Sequence, residues 1–237
     1  KSCKKALYGD PLSKHSVSPL SITEEFLDHF YETYPNKTIF ALGGDHSVSY
    51  PLVKSFLKAK KKNGIKVGLI HFDAHTDLLV ERLGIDLCFG SWVSHILEGL
   101  SSPSHCHQIG IRSSGKPKEH WEKTFGLNQY WNTDVFDQGP MNIAQQIIEK
   151  LKASDIDEIY ISFDIDALDS SYASSTGTPE PKGLEPHHAS IIIQELMNNF
   201  KLSGADMVEV APFLRTSPEA VTEPETTLNS TAIISKL

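Results

Sequence analysis

A chain of 237 residues, 39% hydrophobic and 22% charged, can bury a substantial core, and this composition excludes wholesale disorder. A net charge of -8 gives no electrostatic reason to expect nucleic acid or an anionic membrane surface as partner, and it suits a cationic small molecule. No apolar run approaches the roughly 20 residues that span a bilayer, and no signal-peptide pattern is present.

Residues 1–19 are polar and carry the turn signals Gly9-Asp10-Pro11 and Ser18-Pro19, which predict a loop. Ser21-Ile22-Thr23-Glu24 has the form of a capping box, and Phe26, Leu27 and Phe30 follow at helical spacing. A helix over about 22–34 is predicted, ended by Pro35. Thr38-Ile39-Phe40-Ala41-Leu42 reads as a buried strand, Gly43-Gly44-Asp45-His46-Ser47 as a turn, and residues 48–62 as a helix with a basic last turn. Asn63-Gly64 breaks that helix, and residues 66–72 form a second strand. A long irregular stretch, 78–90, precedes a helix starting near Ser91. A short strand is predicted at 108–112, a polar loop at 113–118, a strand at 128–131, a helix at 143–151 and a strand at 158–163. Residues 169–183, rich in Gly, Ser and Pro, read as an ordered loop over a site. Pro186 opens a helix that runs to Leu202 with Gly204 at its end, residues 207–212 form a last strand, and residues 225–237 a closing helix. The three cysteines, Cys3, Cys88 and Cys106, lie far apart without a CxxC spacing, which favours reduced thiols and a cytoplasmic setting.

Alternating strands and helices predict a three-layer α/β/α fold around a parallel sheet, within a single domain over 1–237. The second strand ends in Asp73-Ala74-His75-Thr76-Asp77, and the strand at 158–163 ends in Asp164-Ile165-Asp166. Alternate residues of an extended chain point the same way, so each stretch projects its acids and imidazole together. With His46, these groups follow three predicted strand ends, where ligands sit in open α/β sheets. Independent polar loops have no reason to share that placement. Four carboxylates and two imidazoles suffice for two divalent cations if two carboxylates bridge; oxygen-rich ligation with some imidazole suits Mn²⁺, and ligand type leaves zinc, cobalt and iron open. Such a pair can hold a water, lower its pKa and deliver hydroxide to an electrophilic carbon.

Gly43-Gly44-Asp45-His46-Ser47, Asp73-Ala74-His75-Thr76-Asp77 and Ser162-Phe163-Asp164-Ile165-Asp166 resemble the three signatures of the ureohydrolase family, which includes arginase, agmatinase and formimidoylglutamase. The resemblance covers about 36–237. It implies an arginase-like fold, two Mn²⁺ ions and attack of a bridging hydroxide on a guanidinium or amidine carbon. By motif, His46 and Asp77 resemble terminal ligands of one metal, His75 and Asp166 those of the other, and Asp73 and Asp164 the bridges. Glu209 resembles the acid that holds the guanidinium, and a carboxylate is a paired acceptor suited to it. Asp77 and Glu209 are therefore the catalytic candidates. The resemblance also implies a homo-trimer or hexamer.

The chain departs from the family pattern in places. The family's proton-shuttling His falls within Cys88-Phe89-Gly90-Ser91-Trp92, where Phe89 replaces it. Cys88 and His95 are alternative proton donors, each weighed against a packing role. Ser170 and Ser174-Ser175 stand where Pro and Pro-Gly are usual. Residues 78–81, Leu-Leu-Val-Glu, lack the pattern associated with arginine recognition, and Ile70-His71-Phe72-Asp73 looks more like agmatinase. Arg112, at a strand end, is a candidate for a substrate carboxylate. His105-Cys106-His107 reads as a polar strand entry and His187-His188 as surface. The sequence thus predicts hydrolysis of a C–N bond in a small cationic guanidino compound, with urea released. The alternatives are an amidine hydrolase of the formimidoylglutamase type and a metal-binding homologue without catalysis.

Overall fold

The apolar runs form six strands: β1 (Phe40–Leu42), β2 (Val67–Phe72), β3 (Cys106–Ile109), β4 (Asn128–Tyr130), β5 (Glu158–Asp164) and β6 (Lys201–Val208). The computed structural model describes residues 18–82 and 84–236. The loop predicted at 1–17 and Cys3 lie outside the described residues. The strands make one sheet in the order β1-β6-β5-β2-β3-β4, and every pairing is parallel. Among the described residues, eight α-helices connect and cover it: α1 (Pro19–Thr33), α2 (Ser49–Lys62), α3 (Trp92–Ile96), α4 (Lys118–Phe125), α5 (Asn132–Gln138), α6 (Pro140–Ala153), α7 (Pro186–Asn199) and α8 (Glu223–Ile234).

Strands β2 and β5 are buried along their whole length, which explains their near-continuous hydrophobicity. Alternate side chains feed two cores, one on each face of the sheet. Ile70, Phe72, Ile161 and Phe163 pack with Ile143 and Ile147 of α6 and Ile192 and Leu196 of α7. Leu69 and Tyr160 pack with Tyr31 of α1, Phe56 of α2 and Trp92 of α3. Each such side chain, fully buried, contributes about 1.5–3 kcal/mol. The result is the three-layer α/β/α arrangement.

Strand β2 leads to β3 on one side, and β5 leads to β6 on the other, while β2 and β5 pair with each other. Their junction is the topological switch of the sheet, where a crevice opens beyond the carboxyl ends. Phe72 is in register with Phe163, so the residues that follow, Asp73 and Asp164, leave the sheet side by side.

Several boundaries differ from the sequence expectation. Helix α1 starts at Pro19, because Ser18 is the N-cap and accepts from the Ser21 N–H at 3.1 Å, with Pro pre-set for the first turn. The short helices α4 and α5 were not expected. Strand β3 begins at Cys106 and ends before Gly110, whose φ of +95° turns the chain out of the sheet. Helix α7 ends at Asn199, and Gly204 lies inside β6 rather than capping a helix. A Cβ on Gly204 would lie 2.5 Å from the Tyr160 ring, so close packing requires glycine there. Strand β6 stops at Val208, and Glu209 therefore sits beyond the strand rather than in its middle. No helix among the described residues is long and apolar enough to cross a membrane.

Candidate metal centre

His46 opens a single 3-10 turn after β1, with Asp45 as its cap. Its imidazole is buried, and its two nitrogens face different partners. Nε2 lies 3.0 Å from Ser162 Oγ, and Ser162 Oγ donates to Asp206 Oδ1 at 2.8 Å. The serine proton is thus engaged, so His46 Nε2 carries a hydrogen. Burial opposes charge on this imidazole, but Asp164, Asp73 and Asp77 outweigh it and hold its pKa well above the usual range, so Nδ1 would offer a lone pair where a cation displaces its proton. That Nδ1 lies 3.1 Å from Asp73 Oδ2, 3.2 Å from Asp77 Oδ2 and 3.2 Å from Asp164 Oδ2. None of these contacts has hydrogen-bond geometry. An imidazole nitrogen facing three carboxylate oxygens in a buried site calls for a cation among them.

A second group adjoins the first. His75 Nδ1 lies 3.1 Å from Asp166 Oδ2 and 3.3 Å from Asp73 Oδ1. Asp73 therefore turns one oxygen to each group, as a bridging carboxylate would. Ligand atoms of His46, His71, Asp73 and Asp77 lie within 4.8 Å of one another, as do those of Asp73, His75 and Asp166. Asp164 faces the first group through Oδ2, while its Oδ1 accepts the Asp166 N–H at 2.8 Å. The donors are carboxylate and imidazole, with no thiolate, and this set fits two divalent cations that favour oxygen.

The electrostatics agree with that fit. Burial pushes the Asp77 carboxyl up to about 6, with the neighbouring Asp73 charge adding to it. Burial, then Asp166 and Asp73, hold Asp164 well above the ordinary carboxyl range. Burial opposes charge on His75 too, but Asp166 and Asp73 outweigh it and raise that imidazole to about 11. The cluster gathers more negative charge than its own imidazoles balance.

A row of buried polar residues lies one layer below. Gln129, Gln108, His71, Ser162 and Asp206 occupy matching register positions on β4, β3, β2, β5 and β6. Gln108 Nε2 donates to His71 Nδ1 at 2.9 Å and to Thr76 O at 2.6 Å. His71 Nε2 is then the protonated nitrogen, and it donates to Asp73 Oδ2 at 2.9 Å. Gln129 Nε2 donates to Gln108 Oε1 at 2.8 Å, and Trp131 Nε1 donates to Gln129 Oε1 at 2.9 Å. On the other side, Trp92 Nε1 donates to Asp77 Oδ2 at 2.9 Å. These partners orient the carboxylates as outer-shell groups orient metal ligands. Sequence reasoning missed this row. The available signal was a lone polar residue between apolar neighbours at His71, Ser162 and Asp206; Gln108 and Gln129 lie in polar stretches and gave none.

Glu209 accepts the His46 N–H at 2.8 Å through Oε1, and its own N–H donates to Gly44 O at 2.9 Å. Its φ is +61°, and that of Asp77 is +51°. Non-glycine residues pay for this left-handed conformation, which concentrates at functional sites. Burial raises the Glu209 pKa, against the His46 N–H. Glu209, His46, Asp73, His75, Asp77 and Asp164 all line one cleft of about 380 Å³, with Phe89 also on its wall.

Other expected residues fall elsewhere. The Arg112 guanidinium does not reach toward a substrate: it donates to the carbonyl oxygens of Gly110, Asp166, Ala167, Leu168, Glu180 and Pro181 at 2.7–3.2 Å. Its rigid fork fits converging carbonyls, and a Cβ on Gly183 would lie 2.6 Å from its Nη2. His95 is exposed and pairs with Asp86 O at 3.0 Å. The Cys88 N–H donates to Ser91 Oγ at 3.0 Å. Cys106 and His107 are not a strand entry but part of β3. Burial pushes the Cys106 thiol up to about 12 and the His107 imidazole down to about 3, so both are neutral and structural.

Comparison with known proteins places this geometry. The chain is 37% identical over 174 residues to the mitochondrial guanidino acid hydrolase of Homo sapiens, covering 72% of this chain and 47% of the relative. It is 35% identical over 194 residues to a formimidoylglutamase of Halalkalibacterium halodurans, covering 81% of this chain and 59% of that protein. It is 35% identical over 198 residues to an agmatinase of Chromobacterium violaceum, covering 82% and 57%. The chain thus spans roughly half to three-fifths of the length of these relatives. Among solved structures, Entamoeba histolytica arginase matches with a TM-score of 0.73 at 24% identity, covering 92% of this chain and 78% of that one. A hypothetical agmatinase from Burkholderia thailandensis matches at 0.68 and 29% identity, covering 91% and 64%. The arginase family model spans residues 3–235, and the chain belongs to the arginase family.

Proposed function

We propose that this chain hydrolyses a C–N bond of a small linear guanidino compound, releasing urea, with two manganese ions held by His46, Asp73, His75, Asp77, Asp164 and Asp166. One observation carries the reading: the buried His46 Nδ1 faces three carboxylate oxygens, and Asp73 is shared with the His75 group. Bound there, two divalent cations supply the acidification of water that hydrolysis needs. Agmatinase, formimidoylglutamase and guanidino acid hydrolase relatives support the substrate class.

The chain's own groups do the rest. Glu209 has Oε1 fixed by the His46 N–H, which leaves Oε2 as the acceptor for a guanidinium N–H. Water adds its oxygen to the guanidinium carbon, the bond to the alkyl nitrogen breaks, and the leaving amine takes a proton. Asp77, the other catalytic candidate, would act through the metal it holds rather than as a free acid. Trp92 holds it in place through Oδ2.

Phe89 lines the cleft and offers no proton, which favours a second reading: hydrolysis of an amidine with release of formamide. Manganese-loaded protein incubated with agmatine, arginine, 4-guanidinobutyrate and formiminoglutamate separates the two. Urea from a guanidine supports the first, and formamide from formiminoglutamate the second. Neither product would leave a metal-binding protein without catalysis. Guanidine hydrolysis gained by Phe89→His would show that only the proton donor was missing.

A further inference from the structure

The floor and the rim of the cleft carry opposite charge. The acids of the floor are buried: Asp73, Asp77 and Asp164 are each 6% exposed or less. The rim is formed by exposed residues, among them Arg82 and Phe89. Arg82 is the one lysine or arginine among the described residues that line this cleft. Its guanidinium carbon lies 4.7 Å from the centroid of the Phe89 ring, a cation–π contact.

The backbone beneath Arg82 is pinned. Arg82 and Ile85 exchange backbone hydrogen bonds at 3.0 Å in both directions, and Gly84, at φ +75°, turns the chain between them. No carboxylate pairs with Arg82 among the described residues. Asp45, another exposed acid on the wall, lies at the Glu209 end, where its charge acts on Glu209, and its Oδ1 accepts the Ser47 N–H at 2.9 Å. Arg82 therefore sets a cation on the wall of a cleft whose floor is acidic.

We infer that Arg82, held on the Phe89 ring, selects a tail that ends in a carboxylate: an ω-guanidino acid rather than an ω-guanidino amine. This rests on the guanidino reading of the cleft and narrows it. A carboxylate takes paired hydrogen bonds from the fork; an ammonium in the same place meets a like charge. Phe89, which occupies the place of a proton donor in the sequence pattern, thereby acquires a role of its own as the platform for Arg82.

The test is binding by the manganese-loaded chain, measured by calorimetry at low salt with three compounds of similar length: 4-guanidinobutyrate, n-butylguanidine and agmatine. The wild type binds the acid about 5–10-fold tighter than the neutral compound, the span expected of a charge-assisted contact at a partly exposed site, and binds agmatine weakest. Arg82→Met brings the three within about twofold of one another, and Arg82→Glu reverses the order. Urea release, where it occurs, follows the same ranking in kcat/KM. Agmatine binding as tightly as 4-guanidinobutyrate, or an order unchanged by Arg82→Glu, overturns the inference and leaves the hydrolase reading intact. Failure of all three compounds to bind overturns both.

Discussion

Strand β5 has an acid at each end, and the two ends are treated in opposite ways. At the amino end, Glu158 lies between Lys60 Nζ at 2.5 Å and Lys201 Nζ at 2.9 Å. Burial opposes its ionisation, but Lys60 and then Lys201 outweigh burial and bring the carboxyl down to about 2. At the carboxyl end, burial and then Asp166 and Asp73 oppose the negative charge of Asp164 and hold its carboxyl well above the ordinary range. The chain satisfies the first acid with its own cations. It leaves the second group to be balanced from outside. The two ends divide one strand between stability and chemistry.

That contrast can be broken at either end. The largest effect is expected from Asp73→Ala, which removes the carboxylate shared by both groups. Manganese binding should weaken by more than the roughly 100-fold that loss of an outer-shell partner costs, as read by metal content after dialysis. At the other end, Lys60→Met leaves Glu158 with Lys201 alone and should cost about 3 kcal/mol in urea denaturation. The same end fixes a pH dependence. The folded pKa of Glu158, about 2, lies below its ordinary 4.5, so its contribution is fully present above 4.5 and is lost as pH falls toward 2. Glu158→Gln should remove that acid limb from the stability curve while leaving metal binding unchanged.

Two smaller effects sharpen the carboxyl end. A chelator should lower the stability of the loaded protein by about 2.7 kcal/mol if free metal had stood at about 100 times its Kd; Asp73→Ala should show no such loss. Gln108→Leu removes the donor that sets the His71 tautomer. It should weaken metal binding by about tenfold and shift the ¹⁵N resonances of His71, which a purely packing role would not do. Unchanged resonances would refute the tautomer assignment.

The legible part of this site was its face. Asp73, His75 and Asp77 alternate, as do Asp164 and Asp166, and alternation after an apolar run gives direction without knowledge of the partner strand. The polar row below was illegible for the complementary reason. His71, Ser162 and Asp206 each stand alone between apolar neighbours, Gln108 follows a polar His-Cys-His stretch, and only the register between strands lines them up. Arg112 was placed on the correct edge, yet its target was a set of backbone carbonyls that no side-chain pattern advertises. Glu209 was found as a residue and misplaced as geometry, since a left-handed φ leaves no trace in a Val-Glu-Val stretch. Helices α4 and α5 were missed because neither is long enough for a sustained period to stand out.

The Arg112 clamp has a bearing on how such a cleft can diversify. Its guanidinium grips main-chain oxygens on both limbs of the segment between Asp166 and Pro181, and every residue type supplies that oxygen. Substitutions along the segment, such as the serines at 170, 174 and 175, can therefore accumulate while the path of the chain is retained. Drift in this loop is decoupled from drift in the His and Asp cluster beneath it, so new ligand preferences can be sampled over an unchanged candidate centre.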